Sequence, residues 1–182
     1  MTLGLDVSTS CIGLSIFDED AKLMSLNHIK LVGENLFEKM DSFVSFMEEN
    51  EYDKFRIKYL AVEEPLKAFK GKFSNADTIQ KLTAMNYMVC FWCYNNYELT
   101  PTHWNVQTIR KIAFPTLLLP KKETNKKHKV WEKVMEREPQ INWVYSKRTH
   151  KLSTENYDMA DAYAVGLCNI TANKNALKNK ND

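Results

Sequence analysis

Leu3-Gly4-Leu5-Asp6-Val7 and Cys11 to Phe17 are two stretches of alternating apolar residues, separated only by Ser8-Thr9-Ser10. Alternation of this kind fits buried strands and a serine-rich break fits a turn, so the chain is expected to open as a β-hairpin. A hairpin alone is marginal in water and needs more strands or a helix against its apolar face. A short strand around His28 to Val32 and a buried strand at Tyr59-Leu60-Ala61-Val62-Glu63, stopped by Pro65, supply candidates. Leu36, Met40, Phe43, Val44 and Met47 recur at spacings of three and four and predict an amphipathic helix. Asn75 to about Asn96 reads as a long helix whose second half is almost wholly apolar, buried either within this chain or against another copy of it. Further expectations are a short strand at Thr102 to Val106, a short helix at Val106 to Ala113 and a break at Pro115 to Pro120. A basic helix follows at Lys126 to Arg137, then a last helix capped by Ser153 or Thr154 and running to about Ala172. Strands early, helices late and one strand between helices predict a mixed central β-sheet flanked by α-helices in a single α/β domain.

The chain has 182 residues, of which 44% are hydrophobic, enough for one substantial core and too few for two ordinary domains. Residues 1–172 are expected to form that domain, with the Asn- and Lys-rich stretch 173–182 a disordered polar tail. No stretch reaches the roughly 18 consecutive apolar residues of a membrane span, and Met1 to Gly13 lacks the basic start and unbroken apolar run of a signal peptide. A soluble, cytoplasmic protein without a membrane partner is expected. Four cysteines without a secretory signal fit a reducing compartment. Cys90 and Cys93 form a C-x-x-C, but the surrounding run is apolar and aromatic, with no second pair to complete a zinc site; core packing is expected for them, as for Cys11 and Cys168.

The net charge of +2 conceals a division along the chain. From Arg110 to Lys151 there are twelve Lys or Arg against four Glu, a balance of +8 that leaves −6 on the remainder. A solvated lysine-rich surface would account for this; so would a phosphate-backbone binder whose acidic groups are reserved for a metal.

Four carboxylates stand where structural need does not explain them. Asp6 interrupts an apolar strand near its end and Glu63 closes another, although acidic residues pack poorly in strands. Asp158 and Asp161 are three apart on the last helix and share a face, away from a stripe of Ala160, Tyr163, Ala164 and Leu167 expected to pack on the sheet. Singly, each has an ordinary reading: Asp6 as a turn cap, the helical pair as partners of the helix dipole. Together they would repel strongly unless a cation sat among them, and carboxylates with water suit hard ions such as Mg²⁺ or Mn²⁺. Two such ions about 4 Å apart form a known clamp for in-line attack of water on a phosphodiester.

Leu3-Gly4-Leu5-Asp6-Val7-Ser8 to Gly13, then Leu60-Ala61-Val62-Glu63, then Asp158-Met159-Ala160-Asp161-Ala162-Tyr163-Ala164 resemble, in order and spacing, the three motifs of the RuvC family of Holliday-junction resolvases. That family lies within the RNase H-like, or retroviral integrase, superfamily. The resemblance spans about Met1 to Ala172, and Asp-x-x-Asp-Ala is its most specific part. It implies an RNase H-like fold and a Mg²⁺-dependent endodeoxyribonuclease with two ions, Mn²⁺ being able to substitute, and with no organic cofactor. It also implies a homodimer making paired nicks across branched DNA such as a four-way junction. Asp6, Glu63, Asp158 and Asp161 would be the catalytic metal ligands. Arg110, Lys111, Lys126 and Lys127 resemble the family's DNA-contacting basic residues. Ser8 or Thr9 stands where the first turn commonly has glycine, and Glu64-Pro65-Leu66 lacks the aromatic expected just after Glu63, so Phe69 or Phe73 is expected to serve at the DNA instead. The Lys- and Asn-rich, Gly-poor composition resembles that of phage or viral proteins, which would place it in a host-cell cytoplasm.

Three other readings compete. Gly4-Leu5-Asp6-Val7-Ser8-Thr9-Ser10 also resembles the first phosphate-binding hairpin of actin-like and sugar-kinase ATPases, but those have two related domains and a second glycine-rich loop, whereas the five glycines here never adjoin. The same fold could serve as a non-catalytic nucleic-acid-binding module, or the same chemistry could act on flaps, forks or RNA hybrids.

Overall fold

The computed structural model describes residues 1–52, 56–65, 76–120 and 123–178. The elements run β1 (Thr2–Val7), β2 (Cys11–Phe17), β3 (Leu23–Lys30), α1 (Leu36–Glu49), β4 (Tyr59–Glu63), α2 (Ala76–Tyr97), β5 (Thr102–Trp104), α3 (Val106–Ala113), α4 (Lys126–Arg137) and α5 (Glu155–Lys178). They form one five-stranded sheet in the order β3-β2-β1-β4-β5. β1, β2 and β3 are antiparallel neighbours, while β4 and β5 lie parallel to β1 and to each other. This is the mixed sheet expected for one α/β domain.

Alternation along the strands divides the core in two. Leu3 and Leu5 of β1, Ile12, Leu14 and Ile16 of β2, and Leu60 and Val62 of β4 meet Phe43 and Met47 of α1 and Met85 and Val89 of α2 on one face. On the other face Phe17 and Ala61 meet Ile109 of α3, Val130, Trp131 and Val134 of α4, and Ala160, Tyr163 and Ala164 of α5. The sheet is therefore a middle layer, and each of its faces is sealed by helices.

Local chemistry sets the element boundaries. The β1–β2 turn does without glycine because the Ser8 hydroxyl closes it, accepting from the Cys11 N–H at 3.0 Å and donating to the Cys11 carbonyl at 2.7 Å. Asn35 caps α1 by accepting from the N–H groups of Phe37 and Glu38, and Asn105 caps α3 through the N–H of Gln107. That second cap ends β5 at Trp104, short of the expected Val106. β3 starts at Leu23 and ends at Lys30, earlier at both ends than expected from its apolar residues. It is placed by pairing with the whole of β2 after a tight turn in which the Asp18 carboxylate accepts from the N–H groups of Asp20 and Lys22.

α5 continues to Lys178 rather than stopping at Ala172, so residues 173–178 of the expected tail are helical, while 179–182 lie outside the described residues. Extending a helix that is already nucleated costs little. In the largely polar stretch between Pro139 and Ser153, which carries no clear period in the sequence, Tyr145 and Leu152 pair in an isolated β-bridge. The loop is pinned by buried Asn156, whose side chain accepts from the Val144 N–H at 2.9 Å and donates to its carbonyl at 2.6 Å. No helix among the described residues is long and apolar enough to cross a membrane.

Candidate functional site

The β1–β4 register brings the first two carboxylates together. Leu5 lies opposite Val62 in the parallel pair, so the next residues along the strands are Asp6 and Glu63, side by side where both strands end. Alternation from Leu5 and Val62 turns both toward the α5 face. Across the hairpin Asp6 pairs with Gly13. Gly13 has no side chain because there is no room for one: a Cβ there would lie 1.9 Å from the Asp158 carbonyl oxygen. A Cβ on Gly4 would likewise lie 2.6 Å from the Gly166 nitrogen, and the buried Ser15 hydroxyl donates to the Ala162 carbonyl at 2.7 Å.

The sheet-facing line of α5 is thus Asp158, Ala162 and Gly166. The expected stripe shares a core with Phe17 and Ala61 of the sheet through Ala160, Tyr163 and Ala164, but the aspartates are not turned away from the sheet as expected. Tyr163 stands edge-on to Phe17 of β2 and stacks on Phe114, while Leu167 is only partly buried. Small residues win the sheet contact because they let the helix backbone come down directly onto β1 and β2, and the acidic pair comes with it.

The electrostatics follow from that closeness. Burial pushes the Asp6 carboxyl well above its ordinary range, and the negative charges of Asp161, Glu63 and Asp158 push it further. Glu63 is pushed up to about 7, first by burial and then by Asp161, with Lys127 and Arg110 pulling the other way. Asp158 is raised too, chiefly by burial, against the pull of Lys127 and of a hydrogen bond from the Cys11 thiol. Asp161 is 6% exposed, a buried acid in an otherwise apolar stretch of helix. The four acids singled out from the sequence therefore share one electrostatic neighbourhood.

The cation among them belongs to the protein. Lys127 Nζ lies 3.2 Å from Asp161 Oδ2 and 3.5 Å from Asp158 Oδ1. Its own pKa is raised: burial is the largest single influence and opposes the charge, but Asp161, Asp6 and Asp158 together outweigh it. With this ammonium among them, the carboxylates are not drawn into a closed ligand set; among the described residues no group of three or more His, Cys, Asp or Glu is arranged to hold a metal. The donor chemistry nevertheless fits a hard divalent ion. These are oxygen ligands of one sign, held in a part-buried place that already demands a positive charge, and Lys127 is the stand-in for it.

The remaining expected residues fall as follows. Arg110, on α3, acts electrostatically on Glu63, and its Nε is buried with no hydrogen-bond partner among the described residues. Lys111 is exposed on α3 and Lys126 begins α4. Phe69 and Phe73 lie outside the described residues. Sequence reasoning placed Lys127 on DNA and did not foresee its place among the acids. A signal existed, since Lys127 shares a helical face with buried Trp131 and Val134, at positions i, i+4 and i+7. All four cysteines are free and buried, as expected of core thiols.

No protein-family model matches the chain, and no curated protein matches it. Solved structures do. RuvC of Thermus thermophilus, in complex with a Holliday-junction substrate, is 14% identical, with a TM-score of 0.64 over 95% of this chain and 94% of that one. The Fowlpox virus resolvase, in complex with Holliday-junction DNA, is 12% identical, with a TM-score of 0.54 over 94% of this chain and 97% of that one. The yeast mitochondrial Holliday-junction resolvase Ydc2 is 14% identical, with a TM-score of 0.55 over 98% of this chain and 81% of that one. Sheet order, flanking helices and these alignments agree, and the chain has the RNase H-like fold of the RuvC-like resolvases.

Proposed function

We propose that this chain is a structure-specific DNA endonuclease that resolves four-way junctions and related branched DNA by metal-dependent phosphodiester hydrolysis, working as a homodimer that nicks paired strands. The observation that carries the reading is the convergence of Asp6, Glu63, Asp158 and Asp161 around one ammonium group on a resolvase fold. Those four side chains would hold Mg²⁺, or Mn²⁺ in its place. When bound, divalent ions supply Lewis acidity toward the phosphate and a more acidic water.

The protein's own residues do the rest. The strand ends fix Asp6 and Glu63, and the glycine-seated helix fixes Asp158 and Asp161, so the ligand oxygens come from rigid elements. Glu63, near neutrality in its pKa, gives up its proton readily when positive charge arrives. Lys127 is half-exposed, and once a metal took its place among the acids its ammonium would be free to meet the phosphate whose charge grows during attack; Arg110 acts on Glu63 from the same site. α3 and α4, whose Arg110 and Lys127 act on the acids, also carry Lys111 and Lys126, which suits a phosphate backbone laid across these helices.

One copy has one acidic site, and cutting two strands of a junction symmetrically requires two. An exposed aromatic stripe on α2 supports pairing: Tyr87, Phe91 and Tyr94 follow one another at i, i+4 and i+7 and are 61%, 66% and 51% exposed.

The test is the purified protein with Mg²⁺ on a synthetic four-way junction, a fork, a flap, an RNA–DNA hybrid and linear duplex side by side. Preferred cleavage of the junction is expected. Asp6→Asn and Asp161→Asn should each lower it by more than the roughly 100-fold that outer-shell changes can reach, while junction binding persists. Retained cleavage in both variants would remove the acids from the chemistry, and preference for another arm would reassign the substrate.

A further inference from the structure

On the opposite side of the sheet from the carboxylates, α2 buries an amide among apolar side chains. Asn86 is 2% exposed, between Met85 and the turn that carries Val89 and Cys90. A primary amide in such a place is costly unless its hydrogen bonds are made. Its Nδ2 donates to the main-chain carbonyl of Glu63 at 3.2 Å. Its Oδ1 faces His103 Nε2 at 3.3 Å and accepts weakly from the Cys90 thiol at 3.7 Å. The orientation of the amide is forced. The Glu63 carbonyl can only accept, so the NH₂ end of Asn86 must face it, which leaves the amide oxygen toward His103 Nε2, itself 3.8 Å from the Cys90 sulfur; the tautomer with its hydrogen on Nε2 donates to that oxygen.

The placement gives the chain of contacts its meaning. His103 lies on edge strand β5, paired with Val62, whose side chain belongs to the α2 face; Glu63 is the next residue and the last of β4. The peptide carrying the Glu63 carboxylate is thereby gripped from the α2 side, at the point where the strand stops and Pro65 begins to redirect the chain. Neither Asn86 nor His103 reaches the acidic site itself.

We propose that Asn86 and His103 are positioning residues for Glu63: the His103 N–H orients the Asn86 amide, and the amide holds the Glu63 peptide plane so that its carboxylate meets Asp6 and Asp161 at ligand distance. This rests on the reading of Glu63 as a metal ligand. Outer-shell partners of that kind are worth about 10- to 100-fold in metal affinity.

His103 is the residue to change, since it is exposed on an edge strand and its replacement leaves the core intact. Full-length protein without DNA is titrated with Mn²⁺ and followed by electron paramagnetic resonance, alongside its unfolding midpoint and its kcat and KM on a four-way junction. His103→Leu should weaken Mn²⁺ binding by about tenfold and lower kcat with KM unchanged, under conditions where the unfolding curves show every variant fully folded. His103→Gln, which keeps an N–H near the same place, should restore most of the loss. Wild-type behaviour of His103→Leu, a His103→Gln no better than it, or losses that merely track a fall in the unfolding midpoint would each overturn the inference while leaving the nuclease reading intact. A wild-type chain that neither binds Mn²⁺ nor cleaves would overturn both.

Discussion

Gly13 decides where the acidic helix sits. A methyl group there would meet the Asp158 carbonyl oxygen at 1.9 Å and the Ala162 Cβ at 3.0 Å, and the first of these is backbone held within α5. Gly13→Ala should therefore cost about 3 kcal/mol in urea unfolding, as an overpacked core does, and should lift Asp158 from the site. A cost below about 1 kcal/mol would mean that the helix is free to ride over the sheet. Lys127 is the other residue on which the site turns. Its ammonium lies where a divalent ion would compete with it, so Lys127→Met should tighten Mn²⁺ binding to the DNA-free protein by about tenfold, the effect of roughly 1.4 kcal/mol, while slowing cleavage. Unchanged or weaker binding would show that the ammonium does not compete with the ion. Asp6 and Glu63 were legible in the sequence because charge inside an apolar strand has no cheap structural explanation. Lys127 was not, because a lysine in a run of lysines looks like every other until the buried face of its helix is counted.

At the scale of elements, the same contrast has a geometric cause. β1 and β2, whose apolar residues alternate, and β4, an apolar run stopped by Pro65, were readable with their boundaries to within a residue or two, and so were α1 and α3, whose asparagine caps mark their starts. β3 was displaced because its ends depend on pairing with β2 rather than on its own residues. α5 hid its orientation because it is buried nearly all round, between the sheet, α3 and α4, so no polar face marks the outside. The informative pattern there was size rather than polarity: Asp158, Ala162 and Gly166, every fourth residue, meet Gly13 and Gly4. α2 shows the reverse case, a long helix with apolar residues on both sides. Its inner side is filled by this chain, with Met85, Val89 and Cys93 in the core, while Tyr87, Phe91 and Tyr94 stay exposed. If that outer side seats a second copy, Phe91→Lys should raise the dimer dissociation constant by about 30-fold or more, as loss of an aromatic anchor worth roughly 2 kcal/mol does. Sedimentation equilibrium measures this directly. A chain that is monomeric before the substitution would assign the stripe another role.

For the molecule as a whole, concentrating negative charge in one part-buried place ties stability to pH and to metal. Burial and like charge raise Glu63 from 4.5 to about 7 and raise Asp6 as well, so in this window the folded chain holds protons that the unfolded chain has released. Stability rises with pH only where the unfolded state binds more protons, and here it binds fewer. Without metal, the contribution of these two groups should therefore be greatest below their ordinary values of 3.8 and 4.5, where both are protonated in either state, and should be lost as pH climbs toward 7. For Glu63 alone the loss is on the order of 3 kcal/mol, an upper limit because Asp6 and Glu63 interact and do not titrate independently. Glu63→Gln, which cannot ionise, should flatten the dependence. Mg²⁺ should stabilise most where the acids are ionised, since a ligand that binds only the folded state adds free energy in proportion to the logarithm of its concentration over its dissociation constant. The measurement is a set of urea midpoints at about pH 5 and about pH 7.5, each in chelator and in excess Mg²⁺, for the wild-type chain and Glu63→Gln. In chelator the wild-type midpoint should fall with pH and in Mg²⁺ the fall should disappear. A midpoint that rises with pH in chelator would mean that the four acids are not crowded enough to resist ionisation, and a metal would then have no electrostatic reason to settle among them.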